Sequence, residues 1–184
     1  MRVALSGTPG TGKTSVVTIL KNQGYTVVHL HRFAKEHHCV AGKDRKRNTQ
    51  LIDMVKLEKA IKKHYPGEAL VFFDGHIGHL LRSMEKVILL RCHPKVLELR
   101  LLKKKWNAKK RRENIEAEIL DVILCEAVQW HASEDIFEID TTKRTAKDVA
   151  AIIVRLVHKN FQPTRTYRVG QIDWSEEILS RDPV

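Results

Sequence analysis

Long hydrophobic runs are missing from this sequence. The longest, Val149-Ala150-Ala151-Ile152-Ile153-Val154, falls well short of the ~18 apolar residues that cross a bilayer. No membrane association is expected. The chain enters an apolar, strand-like stretch at Met1-Arg2-Val3-Ala4-Leu5-Ser6, so no secretory leader is expected. Cysteine is scarce: Cys39, Cys92 and Cys125 are scattered and odd in number. That argues against a disulfide framework and suits reduced thiols in a cytosol. Aromatic residues make up 6% of the chain, and no RNA-stacking motif of the RNP type is present. There is no internal repeat and no linker long enough to separate domains, so 184 residues read as one domain with small inserts.

Acidic residues are outnumbered. Lys and Arg total 33 against 22 Asp and Glu, a formal charge of +11, with a pI near 9.7. This favours an anionic partner: a nucleotide, RNA or a ribonucleoprotein. A lysine-rich surface kept soluble by its charge explains it equally well. Histidine is abundant, in His29-x-His31, His37-His38-Cys39 and His76-x-x-His79. None of these has a zinc spacing with a second cluster at the right interval, so a structural metal site is not expected.

The stretch Gly7-Thr8-Pro9-Gly10-Thr11-Gly12-Lys13-Thr14 matches G-x-x-x-x-G-K-[ST]. An apolar strand precedes it, and the helix-like Ser15-Val16-Val17-Thr18-Ile19-Leu20-Lys21-Asn22 follows. That is the context a phosphate-binding P-loop requires. Glycines let the backbone approach an anion, and the loop amides with the helix N-terminus cradle it. Lys13 supplies charge for the β- and γ-phosphates, and Thr14 a hydroxyl for Mg²⁺. A nucleoside triphosphate site is the reading; a chance glycine turn is the alternative.

Periodicity orders the rest. Residues 25–30 read as a second strand, 32–38 as a short helix, and the basic run 42–48 as an exposed loop. Residues 50–64 read as one amphipathic helix. Glu68-Ala69-Leu70-Val71-Phe72-Phe73-Asp74 and Lys86-Val87-Ile88-Leu89-Leu90-Arg91 read as strands apolar throughout, as buried parallel strands are. A helix opened by Pro94 follows, with Val96, Leu97, Leu99 and Leu101 on its apolar side. A long helix is predicted from Glu113 to Ala132, with Ile115, Ile119, Val122, Ile123 and Ala127 inward. Then come a strand at 135–140, a helix at 145–160, and a surface tail at 161–184. The alternation predicts an α/β fold: a five-stranded parallel sheet with helices on both faces.

Asp74 ends an apolar strand, where ligands bind in such sheets. It is a candidate for holding the hydration shell of magnesium, the Walker B role; a carboxylate capping the next turn is the alternative. His76 is placed to position a water or a phosphate, or else packs in that turn. Residues 103–112 hold seven cations in ten positions. A basic flap over the nucleotide would neutralise transferring charge and exclude water; a solvated cationic helix face is the alternative.

Taken together, these motifs resemble the atypical adenylate kinases that double as small-subunit ribosome assembly factors, relatives of a coilin-interacting nuclear ATPase. The archaeal members look most similar. The resemblance rests on the P-loop through Ser15, Leu51-Ile52-Asp53-Met54-Val55-Lys56-Leu57, Asp74-Gly75-His76, Leu90-Arg91-Cys92-His93-Pro94, Glu113-Asn114-Ile115-Glu116-Ala117-Glu118-Ile119, and Gly170-Gln171-Ile172-Asp173-Trp174-Ser175. It implies a nucleoside monophosphate kinase fold, with a kinase domain over 1–160, a monophosphate-binding part near 29–52 and a lid near 103–113. It implies Lys13, Asp74 and His76 as catalytic; Gly10, Thr11, Gly12, Lys13, Thr14, Ser15, Lys104 and Lys143 as nucleotide-binding, with Lys143 in the loop framing the adenine; and Thr14 with Asp74 as the magnesium pair. The implied activities are ATP + AMP to 2 ADP, and ATP hydrolysis. The implied partners are ribosomal protein uS11 and the pre-30S particle near the end of 16S rRNA maturation; a monomer is expected. Two features depart from the family pattern. Lys104-Lys105 stands where an Arg-Gly pair is usual, which keeps charge but loses bidentate geometry. Residues 43–47 are basic where many relatives are acidic, so a contact with a basic ribosomal protein would be local and shape-led, or would use carboxylates such as Glu113, Glu116, Glu118, Asp173, Glu176 and Glu177.

Overall fold

Five short apolar segments build the centre of the molecule. In a computed structural model, which describes residues 1–44, 49–67, 69–162 and 165–179, they are β1 (Arg2–Ser6), β2 (Thr26–His29), β5 (Val71–Asp74), β6 (Lys86–Arg91) and β7 (Ile136–Asp140). They form one sheet in the order β2-β5-β1-β6-β7, with every pair parallel. A strand alternates its side chains between two faces, so both faces must be covered. Phe72 and Phe73 show the rule. Phe72 packs with Val16, Val17 and Leu20 of α1 (Lys13–Asn22) and with Val149, Ile153 and Leu156 of α7 (Ala146–His158). Phe73 packs on the other face with Phe33 of α2 (Leu30–Glu36), Leu57 and Ile61 of α3 (Met54–His64), and Leu124 and Ala127 of α6 (Val122–Val128). A third, smaller cluster joins Leu97 and Leu101 of α4 (Pro94–Lys103) to Ile115 and Ile119 of α5 (Ala108–Ile119). The expected α/β fold with a five-stranded parallel sheet is present.

The structure corrects several boundaries. Strand β2 stops at His29, its last ladder partner on β5 being Asp74; Leu30 is already the first residue of α2. The helix expected over 50–64 starts at Met54. Residues Thr49–Ile52 form β4, paired antiparallel with β3 (Val40–Asp44). The stop is chemical: the Asp53 carboxylate accepts the Lys56 amide at 3.0 Å, an N-cap worth ~1 kcal/mol. Of the basic run expected as an exposed loop, Lys43 lies in β3, and residues 45–48 are outside the described residues. Leu99, expected inward, is 60% exposed; Leu97 and Leu101 carry the apolar side of α4. The single helix expected over 113–132 is two. It breaks at Asp121, which sits in the left-handed region (φ 52°), a conformation that Asp tolerates better than most residues. Arg91 explains the break: its Nη2 donates to the Glu118 carbonyl at 3.3 Å and to the Asp121 carboxylate. Val122, just past the break, is exposed instead of inward.

The segment after α7 contributes to the core. Phe161 is buried and stacks at 5.4 Å on Phe137. The Gly170 amide donates to Glu138 at 2.7 Å, and Trp174 lies edge-on to His93. A last turn, α8 (Glu176–Leu179), follows. Among the described residues no helix is long and apolar enough to cross a membrane.

Candidate active site

The loop between β1 and α1 takes its shape from positive φ angles at Gly7 (136°), Gly10 (101°) and Gly12 (103°). Gly7 also has no room for a side chain, because a Cβ would collide with the Leu90 carbonyl oxygen on β6. Gly12 heads α1, and no side chain caps that helix. Its first amides and the positive end of its dipole are therefore left for an anion. We expect Gly7→Ala to cost at least ~3 kcal/mol, since left-handed strain and a backbone clash add. A urea titration against wild type checks this, and an unchanged midpoint would contradict it.

Beside this loop lies a cleft of about 560 Å³, a volume suited to a small-molecule ligand. Gly10, Thr11, Gly12, Lys13, Thr14 and Ser15 line one side, with His76, Arg100, Lys103 and Lys104 around it and Thr141, Arg144, Ala146 and Val149 completing it. Most of the residues picked from the sequence thus converge on one place. Asp74 and Lys143 are not in its lining: Asp74 lies at the end of β5 against His29, and Lys143 is exposed, with Thr141, Arg144 and Ala146 of its loop in the cleft. Arg100 pins that loop, donating to the Thr141 hydroxyl at 3.1 Å and to the Thr141 carbonyl at 2.7 Å. Neither Arg100 nor Arg144 stands out in the sequence, because each is one cation in a polar helix or turn.

Lys13 folds back on its own loop, donating to the carbonyls of Gly7 and, at 3.1 Å, Thr8. Burial lowers its pKa to about 8, against the pull of Asp74 and Glu118; Lys104 lowers it further. Asp74 is half-buried at the end of β5, level with Leu5 on β1 and His29 on β2. Its Oδ2 is bonded to His29 Nδ1 at 2.8 Å, and Lys21 Nζ lies 2.9 Å from the other imidazole nitrogen. With the ammonium as donor there, the Nδ1–H tautomer points its proton at Asp74. Loss of solvent and the Lys13 charge hold His76 below the ordinary histidine pKa, so it is neutral near pH 7.

The turn carrying His76 is anchored by a relay that runs from the buried Ser6 and His79 out to the partly exposed Glu126. Ser6 Oγ lies 2.9 Å from His79 Nδ1, and His79 Nε2 lies 2.8 Å from Glu126. Among the described residues no group of three or more His, Cys, Asp or Glu side chains is gathered as a metal centre. The donors that suit magnesium are the exposed Thr14 hydroxyl on the first turn of α1 and the Asp74 carboxylate. Mg²⁺ keeps several waters and takes one or two carboxylates besides phosphate oxygens, so this sparse oxygen set fits it.

A larger charged group lies behind the P-loop. Glu118 of α5 is 2% exposed. It accepts from the Thr8 hydroxyl, from Arg91 Nε at 2.9 Å and from the Cys92 amide at 3.0 Å. Arg91 also donates to Glu138 and Asp121. Burial opposes the guanidinium charge, but the carboxylates outweigh it and raise its pKa. Burial likewise raises the pKa values of Asp121 and Glu138, against the pull of Arg91.

Comparison with known proteins bears on the family and the fold. Residues 3–121 match the family model described as "AAA domain". A protein of Archaeoglobus fulgidus named "Putative adenylate kinase" is 39% identical over 181 residues, covering 98% of this chain and 96% of its own. A Methanocaldococcus jannaschii protein of the same name is 37% identical, covering 97% and 96%. Among solved structures, shikimate kinase from Acinetobacter baumannii superposes with a TM-score of 0.54 at 17% identity, covering 86% of this chain and 93% of that one. Deoxyadenosine kinase from M. mycoides gives 0.53 at 14%, covering 87% and 100%. At those identities the likeness is one of fold, the P-loop kinase fold. The chain belongs to the AAA-domain family of P-loop proteins, in the branch that includes these archaeal relatives.

Proposed function

We propose that this protein is a nucleoside monophosphate kinase that transfers the terminal phosphate of ATP to AMP, giving two ADP, with slower hydrolysis of ATP. The observation that carries this is the cleft itself. An uncapped helix N-terminus and the Lys13 ammonium face a ring of cations, Arg100, Lys103, Lys104 and Arg144. The archaeal relatives' names support a nucleotide acceptor.

The acceptor phosphate is already ionised, so its oxygen attacks phosphorus without giving up a proton. The bond to the ADP leaving group breaks as the new one forms. Catalysis then reduces to alignment and neutralisation of charge. The loop amides and Lys13 hold the donor phosphates, and the cations of α4 and the 140–146 loop offset the charge on the transferred group. Thr14 and Asp74 would hold magnesium, which would supply further neutralisation of the donor phosphate charge. The basic stretch 103–113, the end of α4 and first turns of α5, serves as the lid.

Hydrolysis differs, because water must be oriented and deprotonated. A neutral imidazole at His76 suits that task. His76→Ala is expected to lower phosphate release by ~10²-fold, the usual worth of a general base, while ADP formation from ATP and AMP falls only a few-fold. The functional test is the same assay on wild type. ADP drawn from both ATP and AMP supports the kinase. Phosphate release indifferent to AMP favours an ATPase, and turnover only on a non-nucleotide alcohol favours a small-molecule kinase. Binding to uS11 and the pre-30S particle, and the assembly role that goes with it, rests on the resemblance alone. Of its candidate carboxylates, Glu118 is withdrawn by burial against Arg91, Glu116 is paired with Arg112, and Glu177 lies against His93 and Lys95.

A further inference from the structure

We infer that Glu118 is a positioning residue for the P-loop: through the Thr8 hydroxyl it ties the phosphate cradle to α5, the helix whose first turn carries the lid cations. The inference rests on the nucleotide-binding reading of the cleft. Its basis is the accounting around one carboxylate. Oε1 is filled by Arg91 Nε and the Cys92 amide, both from the end of β6. Oε2 reaches across to Thr8. Thr8 is itself buried, and its carbonyl accepts from Thr11 Oγ1 at 2.9 Å and from Lys13 Nζ at 3.1 Å. The first turn of the loop therefore has two sides. Its carbonyl holds Thr11 and the phosphate-binding lysine, and its hydroxyl is held by α5.

The same helix begins at Ala108, with Asn107 capping it by accepting the Lys110 amide at 2.8 Å. Lys109, Lys110, Arg111 and Arg112 fill its first turns, and Ile115 and Ile119 seat it against α4. A displacement of α5 large enough to move those cations must either stretch the Thr8–Glu118 bond or drag the loop with it. The Glu118 charge also acts on Lys13, so loop and lid meet at this carboxylate.

Thr8→Val tests this, because it keeps the β-branched shape and removes only the donor. The measurements are ATP affinity by calorimetry with magnesium, made well below the melting temperature so that global stability does not enter, and amide exchange along 108–119 with and without ATP. We expect Thr8→Val to bind ATP about tenfold more weakly, the scale of one buried, charge-assisted hydrogen bond. Thr8→Ser should return to within about twofold of wild type, since the hydroxyl alone is required. ATP should slow exchange in α5 of wild type and Thr8→Ser but not of Thr8→Val. In a Glu118→Gln background the effect of Thr8→Val should shrink, as non-additivity of touching residues requires. Wild-type affinity in Thr8→Val overturns the inference. So does a Thr8→Ser as weak as Thr8→Val, or an α5 in wild type indifferent to ATP. If Glu118→Gln does not fold, the serine comparison decides alone. If wild type binds no ATP, the functional reading is what fails. Exchange of the loop amides 8–13 in ligand-free protein then decides: faster exchange in Thr8→Val than in Thr8→Ser supports the tie, and equal rates overturn it.

Discussion

Replacing Lys13 by alanine is expected to leave on the order of a thousandth of wild-type turnover, the loss that follows removal of a group aimed at developing charge. Lys13 is the loop's own cation, and in the ligand-free protein it is parked on the carbonyls of Gly7 and Thr8. A triphosphate offers it better acceptors without rebuilding the loop. A steady-state assay of ADP formation reads the effect, and a rate within tenfold of wild type would refute the assignment. The pH dependence carries a second signature. Burial brings the Lys13 pKa down to about 8, and only the ammonium form binds phosphate well. A bound anion raises that pKa again, so binding takes up a proton above about pH 8. ATP affinity should therefore weaken as pH rises past 8, by up to about tenfold per unit for a single proton. Lys13→Arg, which does not titrate in this range, should bind with a flat profile there. Calorimetry in buffers of different ionisation enthalpy counts the proton directly.

Arg91→Met is expected to destabilise the protein by about 3–5 kcal/mol, the cost of leaving buried carboxylates without their cation. The buried Glu118 and Glu138 and the half-buried Asp121 all depend on this guanidinium. Methionine keeps the unbranched apolar stem of the side chain and removes the guanidinium, so the carboxylates lose both their cation and its hydrogen bonds. Equilibrium urea unfolding checks it, and a loss under 1 kcal/mol would show that the group is solvated in solution. The sign of the pH effect follows from the directions of shift. Asp121 and Glu138 already titrate above their ordinary values in the folded protein, and without Arg91 they rise further. A carboxyl with a raised folded pKa binds its proton more readily folded than unfolded. The variant should therefore regain stability as pH falls from 7 toward the ordinary carboxylate range, whereas a purely steric defect would show no recovery.

The features of this site that follow chain-local rules are legible in the sequence. Gly7 to Thr14 announces a phosphate loop because the chemistry needs glycines and a lysine at fixed intervals. The place of Asp74 is legible because it ends a strand apolar throughout, where ligands bind in such sheets. What is not legible depends on distant partners. Nothing near Thr49–Ile52 says that β3 lies opposite, so Leu51 reads as one position of a helical stripe. Nothing near Asp121 says that Arg91, thirty residues back, bends the chain there. Glu118 is the sharpest case. In a helix rich in Glu, Lys and Arg it looks like one more solvated charge, and only the tertiary fold shows it to be the one buried against the P-loop. Lys143 is the opposite case: it sits in the loop beside the cleft but is exposed, and its neighbour Arg144 lines the cleft.

The strand order has a kinetic side. Strand β1 is at the centre of the sheet, yet its partners β5 and β6 begin at Val71 and Lys86. On a chain made from N- to C-terminus at about 5–20 residues per second, the P-loop emerges well before β5 and β6 and waits several seconds for the strands that hold it. Such non-local pairings are also slow to find one another in a refolding chain. The nucleotide cradle is thus early in synthesis and late in assembly. ATP cannot template the first steps of folding; it can only trap the finished sheet. Refolding experiments should find ATP slowing the unfolding rate while leaving the folding rate nearly unchanged, as for any ligand whose site is absent from the transition state.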